Sequence, residues 1–184
     1  MNRYLSGDSR AFDIVYDRRR EGLRRFFERQ CGSAALGQEL AQEVWFKFIR
    51  ACQNNQYTAE AKFTTYLYRV AKNLLIDWYR KNGKFKTVEL YDSIGSEDEV
   101  VELHNYDIAD PETLYANKER MKILLDAVDQ LSEEQRTTIL MHMEGDLSYE
   151  EIAEATGTNR ETVKTRLRYA RAHLKNRVFQ DNHA

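Results

Sequence analysis

The chain has 184 residues, 42% of them hydrophobic and 32% charged, with one proline and a formal net charge of −2. That is enough apolar material for one large core or two small ones, and so much charge with so little proline favours helices over turn-rich sheet, so the expected fold class is all-α. No apolar run approaches the roughly 18 residues of a membrane span, the start MNRYLSGDSRAF lacks the apolar stretch of a secretory leader, and Cys31 and Cys52 are too few for a disulfide framework or a zinc site, so a reducing, cytoplasmic setting is expected.

The mean charge conceals three blocks. Residues 1–92 carry 17 Lys and Arg against 11 acids, residues 93–112 none against 7, and the remainder 11 against 12, for net charges of +6, −7 and −1. This partition suggests two helical domains joined by an acidic, flexible linker.

In chain order, Asp8-Ser9 reads as a cap, after which Phe12, Val15, Tyr16, Leu23, Phe26 and Phe27 recur as the buried face of a long helix. A second helix is expected from about Ala35 to Ala51, where Leu36, Leu40, Val44 and Phe48 repeat every four residues while Trp45, Phe46 and Ile49 widen the apolar surface. That surplus fits either core against a third helix or a face for a partner. After the polar loop CQNNQYTAEAK, a third helix is expected from about Phe63 to Arg80, with Leu67, Val70, Ala71, Leu74 and Trp78 inward. Its outer face would carry Lys62, Thr65, Arg69, Lys72, Asn73 and Arg80, with Tyr66 and Tyr79 at the margins. Cations interleaved with an amide and aromatics suit a single-stranded nucleic acid, and a solvated basic face accounts for them equally.

The segment SIGSEDEVVELHNYDIADP has no helical period and no basic residue, and ends in Asp110-Pro111, a helix-start signal. A solvated loop and a strand lying in a partner's basic channel are both open for it. A helix from Glu112 to about Gln130 follows, with Leu114, Met121, Leu124, Leu125 and Val128 inward, then one capped by Ser132 with Gln135 that supplies Ile139, Leu140 and Met143.

The most informative stretch runs from Leu147 to Val178. Ser148 stands three residues before Glu151, and Thr158 three before Glu161, each spaced as a capping box, with Gly157 available to close the first helix. Helix, glycine turn and second helix at this spacing form a helix-turn-helix. In the second helix Val163, Leu167, Ala170, Leu174 and Val178 form one stripe. From Arg160 to Arg177 there are seven basic residues and one acid, Glu161. Such a surface faces phosphate, and the geometry predicts DNA contact.

With these pieces in order, the chain resembles the extracytoplasmic-function (ECF) sigma factors, the promoter-recognition subunits of bacterial RNA polymerase. The resemblance rests on GDSRAFDIVYDRRREGLRRFF, ELAQEVWFKFIRA and FTTYLYRVAKNLLIDWYRK in the first part, and on LSEEQRTTILMHMEGDLSYEEIAEATGTNRETVKTRLRYARAHL in the last. It implies a sigma domain over residues 1–92, the linker over 93–111, and a helix-turn-helix sigma domain over 112–184. Core polymerase would be held by Glu39, Gln42, Glu43, Val44, Trp45 and Phe46. The melted downstream promoter element would meet Asn54, Asn55, Tyr57, Lys62, Thr65, Tyr66, Arg69, Lys72, Asn73 and Arg80. The upstream duplex element would meet Arg160, Glu161, Thr162, Lys164, Thr165, Arg166, Arg168, Tyr169, Arg171 and Lys175. Such a protein is no enzyme, needs no cofactor or metal, and works at the nucleoid with core polymerase and promoter DNA. An anti-sigma protein or an activating kinase as a further partner is left open.

The chain departs from the family pattern at two places. Gly37-Gln38 stands where many relatives carry acidic residues before Glu39, which points to weaker polymerase binding, compensated through Trp45 or relieved by an activating event. Tyr169 stands where a basic residue is common, so the promoter sequence cannot be copied from relatives. A free-standing dimeric helix-turn-helix regulator leaves the basic stripe between Phe63 and Arg80 unexplained. An enzyme lacks support, since His104, His142, His173 and His183 are scattered and no phosphate loop or nucleophile elbow is present.

Overall fold

Hydrophobic spacing, glycine and local caps set the helix boundaries in the computed structural model, which describes residues 2–54, 56–57, 62–82 and 121–181. In order these are α1 (Asn2–Leu5), α2 (Ser9–Cys31), α3 (Ala34–Gln53), α4 (Phe63–Lys81), α5 (residues 121–129), α6 (Glu133–Gly145), α7 (Tyr149–Thr156) and α8 (Arg160–Asp181). Among the described residues there is no strand, in agreement with the all-α expectation. The acidic linker and its Asp110-Pro111 signal lie outside the described residues.

The N-terminal half is built on rings. Trp45 meets Tyr16 at 5.0 Å and Phe12 at 5.9 Å, both edge-on, and Phe48 meets Phe63 at 5.0 Å and Tyr57 at 5.3 Å. Offset and edge-to-face pairs like these add to the burial of large apolar area. Leu23, Phe26 and Phe27 of α2 are fully buried, as their spacing predicts, while Phe12 and Tyr16 are partly buried. α3 starts at Ala34, within a residue of the expected Ala35, where the Ser33 hydroxyl caps it by accepting from the Leu36 amide.

The C-terminal half closes around Ile139, Leu140, Met141, Leu147, Ile152 and the α8 stripe Val163, Leu167, Ala170 and Leu174, all buried. Both Ser132 with Gln135 and Ser148 with Glu151 form reciprocal capping boxes, satisfying two orphan amides at each helix start. In α5, Ala127 and Val128 are buried, but Met121 and Leu125 are exposed rather than inward. They border an open groove of about 420 Å³ against Arg24, Arg25 and Arg29 of α2.

The halves pack on each other, α2 against α6 and α4 against α7. The carboxylate of Glu144, 6% exposed, is gripped by Arg25 at 2.6 Å and by Arg29. Deeper in the seam the Gln30 amide donates to Thr137 Oγ1 at 2.9 Å, and the Tyr79 hydroxyl donates to the Gln30 carbonyl at 3.1 Å.

This seam corrects the single inward stripe expected for α4. Tyr68, Leu75 and Tyr79 are buried beside Leu67, Ala71 and Leu74, and Thr65 is completely covered. Thr65 and Tyr79 therefore do not lie on an outer face. Positions 65, 68, 72, 75 and 79 recur at helical spacing on the side that meets the C-terminal half, a second buried face that no local period announces.

Candidate nucleic-acid interface

The C-terminal surface is positioned by a turn of three residues. Gly157 takes φ 68 at the end of α7 and its amide bonds to Ala153 and Glu154 carbonyls, a conformation costly for any residue with a Cβ. The expected cap of α8 by Thr158 with Glu161 is not what forms. Asn159 Oδ1 accepts from the Thr162 amide at 2.7 Å, and the Thr158 hydroxyl pairs instead with that of Thr156 at 2.9 Å. Asn is as good an N-cap as Thr or better, and taking Asn159 lets the two threonine hydroxyls tighten the turn.

With its apolar stripe buried, α8 turns Arg160, Glu161, Lys164 and Arg168 to solvent, and Thr162, Thr165, Tyr169, Arg171 and Lys175 are half-buried at the flanks. Arg171 Nη1 donates to the Tyr149 hydroxyl at 3.0 Å, and both Arg160 and Arg171 sit 6.0 Å from the Tyr149 ring centre. Arg160 also meets Glu150 at 2.5 Å, and that guanidinium holds the Glu150 carboxyl below the usual carboxylate range. Phosphate contact by Arg160 requires exchange of that carboxylate. Arg168 lies over the ring of Tyr169 at 5.2 Å, so this tyrosine supports a neighbouring cation. Arg166 is half-buried and shares its surroundings with Lys72 and Glu134.

On α4, Arg69, Asn73 and Arg80 are exposed, and Arg69 stands 5.5 Å over the half-buried ring of Tyr66. Tyr57 is buried with its ring 4.8 Å from that of Tyr66, so it anchors the segment before α4 instead of presenting a free ring. Lys72 Nζ donates to the Thr156 carbonyl at 2.6 Å and Lys62 meets Glu151 at 2.9 Å. Burial, and then the charge of Arg166, push the Lys72 ammonium below its ordinary pKa. Asn54 is the exposed C-cap of α3, and Asn55 lies outside the described residues.

Of the residues assigned to polymerase, Glu39, Gln42, Glu43 and Phe46 are exposed, Phe46 by 62%, while Val44 and Trp45 belong to the core. A compensating contact through Trp45 is thus unavailable, and Phe46 is the apolar residue that α3 presents. Gly37 is buried because α3 crosses α2 there: a Cβ would come within 2.7 Å of the Glu28 amide nitrogen. An acid cannot stand at position 37 without parting these helices, whereas Gln38 beside it is exposed.

Among the described residues no group of three or more His, Cys, Asp or Glu is placed to hold a metal, and no helix is long and apolar enough to cross a membrane. The arrangement defines a two-part helical DNA-binding protein: a helix-turn-helix with a cationic second helix, set against an aromatic helical domain with its own basic face.

Comparison with known proteins agrees part by part. Residues 15–85 match Sigma-70 region 2, and residues 121–174 match Sigma-70, region 4. The ECF RNA polymerase sigma factor SigW of Bacillus subtilis is 30% identical over 177 residues, covering 94% of this chain and 91% of the relative. The ECF RNA polymerase sigma-E factors of Haemophilus influenzae and Escherichia coli are 28% and 27% identical, each over 97% of this chain and 93% and 92% of their own lengths. The fold is shared with CnrH, solved with the cytosolic domain of CnrY (TM-score 0.67, 17% identity, 98% of this chain and 95% of that one). It is shared too with the sigma factor RpoE of Bartonella quintana, solved with the anti-sigma factor NepR (TM-score 0.65, 20% identity, 91% and 96%). The chain belongs to the ECF sigma factor family. It is an alternative sigma factor, which binds core RNA polymerase and promoter DNA and directs transcription initiation.

Proposed function

We propose that the two halves divide promoter recognition, residues 112–184 reading the upstream element as duplex and residues 1–92 reading the downstream element as melted strand, with 93–111 as the linker. The observation that carries the reading is the buried stripe of α8, which commits that helix to one orientation and leaves Arg168 and Lys164 facing outward. In the major groove these residues, with Thr165 and Tyr169, address base edges, while Arg171 and Lys175 hold phosphates; base contacts specify and phosphate contacts fix register. On α4, Arg69 and Asn73 with Tyr66 meet the unpaired strand, and Lys62, Lys72 and Arg80 follow its backbone. A base unstacked from the duplex is readable by hydrogen bonds and stacking.

Core polymerase is held by the exposed side of α3, through Glu39, Gln42, Glu43 and Phe46. The protein supplies recognition and strand opening at the nucleoid in the cytoplasm, and the polymerase supplies the chemistry. Because two proteins of this fold were solved in complex, one with the anti-sigma factor NepR and one with the cytosolic domain of CnrY, an anti-sigma protein is a fitting restraint on this chain.

Gel-shift and run-off transcription on fragmented genomic DNA, each with and without core polymerase, test the reading. Initiation at discrete start sites only when both chain and core are present is expected. Tight operator binding by the isolated protein, with no promoter-specific initiation on adding core, contradicts it.

A further inference from the structure

Arg160 opens α8 and is held between carboxylates. Its Nε donates to Glu150 Oε1 at 2.5 Å and its Nη1 meets Glu161 Oε1 at 3.4 Å, while the guanidinium lies 6.0 Å from the centre of the Tyr149 ring. All three charged side chains are more than half exposed, so the pairing adds little to stability. Its consequence lies in what Arg160 can reach. Farther along the helix Arg168 rests on the Tyr169 ring and Arg171 on the Tyr149 hydroxyl, partners that leave their positive charge uncancelled.

The two carboxylates come from different helices. Glu150 stands in the first turn of α7, ten residues before Arg160, and Glu161 in the first turn of α8. Acids in a first turn are stabilised by the helix dipole, and the Arg160 guanidinium further holds the Glu150 carboxyl below its usual range. Glu150 therefore stays ionised beside the end of α8 that, in a helix-turn-helix, approaches base edges. One cation with two anions leaves the cluster at a net charge of −1, which repels phosphate as long as the group stays together. Exchanging Glu150 for a phosphate swaps one charge-assisted contact for another and strands a carboxylate next to DNA. Exchanging it for the O6 and N7 edge of a guanine gains a bidentate contact with a neutral acceptor.

We propose that Arg160 reads a guanine of the upstream duplex and that Glu150 is the positioning residue that withholds it from phosphate, so that the pair raises the ratio of promoter binding to sequence-independent binding. The proposal rests on the reading of α8 as the helix that meets duplex DNA. Phosphate contacts supply most of sequence-independent affinity and carry no sequence information. A cation kept on a carboxylate until a base edge replaces it contributes to recognition without adding to that background. Tyr149 keeps the guanidinium near α7 from a second side, and its ring offers no negative group that would compete with the base.

The full chain carrying Glu150→Gln, Arg160→Ala or both tests this. Anisotropy with a labelled mixed-sequence duplex of about 25 base pairs, titrated from about 0.05 to about 0.2 M salt, reads sequence-independent binding. Run-off initiation with core polymerase, at a promoter and its single-base changes, reads recognition. Glu150→Gln is expected to bind the mixed duplex roughly threefold more tightly, with a salt slope steeper by about 0.9 for the one phosphate gained, and to initiate as wild type does. Arg160→Ala should leave mixed-duplex binding and its salt slope unchanged and lower initiation roughly tenfold, the loss confined to promoters that keep one particular G·C pair. The double variant should bind the mixed duplex as Arg160→Ala does. Tighter binding that persists in the double variant overturns the proposal, because the effect is then bulk charge and not release of Arg160. A shallower salt slope for Arg160→Ala alone overturns it as well, because Arg160 is then already on phosphate. Absence of promoter-specific initiation by wild type with core would instead contradict the reading on which the proposal rests, whereas both other failures leave wild-type initiation intact.

Discussion

The guanidinium of Arg171 donates to the Tyr149 hydroxyl at 3.0 Å and lies 6.0 Å from the centre of that ring, tying the second helix of the helix-turn-helix to the first turn of its partner. Arg168, one turn earlier, is exposed over Tyr169. The two arginines should therefore fail differently. Arg171→Ala is expected to weaken every promoter alike and to lower the salt slope of duplex binding by about 0.9. Arg168→Ala is expected to cost about 1–3 kcal/mol of discrimination at one base pair and to relax specificity there. Titration of both variants against a promoter and its single-base changes separates the two outcomes.

Trp45 and Phe46 are sequence neighbours with opposite fates, one in the core and one 62% exposed. Trp45→Ala should destabilise the fold by about 3–5 kcal/mol, as for other large-to-small aromatic changes. Phe46→Ala should leave stability within about 0.5 kcal/mol and weaken core polymerase binding by about 2 kcal/mol if it is an anchor of that contact. Denaturant melts and a binding titration with core polymerase check the pair.

The glycine at position 37 predicts an asymmetry between two ways of restoring acidity to α3. Gly37→Asp drives a side chain into the α2 backbone and is expected to cost about 1–3 kcal/mol of stability. Gln38 is exposed, so Gln38→Glu should fold normally and bind core polymerase more tightly than wild type. Equal polymerase affinity for Gln38→Glu and wild type would show that charge at this position does not limit docking.

The Glu151 carboxyl links pH to the stability of α7. Burial raises its pKa, but the Ser148 amide and the Lys62 ammonium outweigh burial and hold it below the ordinary 4.5. A lowered folded-state pKa gives stability that is present above 4.5 and lost as pH falls through the folded value. Glu151→Gln keeps an acceptor for the capping box and removes the titration. Thermal melts between pH about 6 and about 3 should fall less steeply for Glu151→Gln than for wild type.

What the sequence discloses here is local, and what it withholds is distant. The caps at Ser132 and Ser148, the stripe of α8 and the turn at Gly157 are set by residues within four positions of one another, and they stand where their spacing puts them. The cap at Asn159 was masked by a threonine with the correct spacing to Glu161, a choice between two competent acceptors that only the turn geometry decides. Lys72 and Tyr79 are legible as helical but not as covered, because their partners lie 84 and 49 residues away, and Thr65 is buried on the same helix. Gly22 gave no signal beyond a glycine in a helical pattern, although Glu144 explains it at once. Trp45 and Phe46 both widened an apolar surface, and only the ring cluster around Phe12 and Tyr16 tells core from contact.

The division of promoter recognition between α4 and α8 is tested most directly by photo-crosslinking from single positions in the initiation complex. A crosslinking side chain at position 73 should label only the unpaired strand of the downstream element, and only when core polymerase is present. One at position 168 should label the upstream duplex. Labelling of the same duplex segment from both positions, or labelling from position 73 in the absence of core polymerase, would contradict the account.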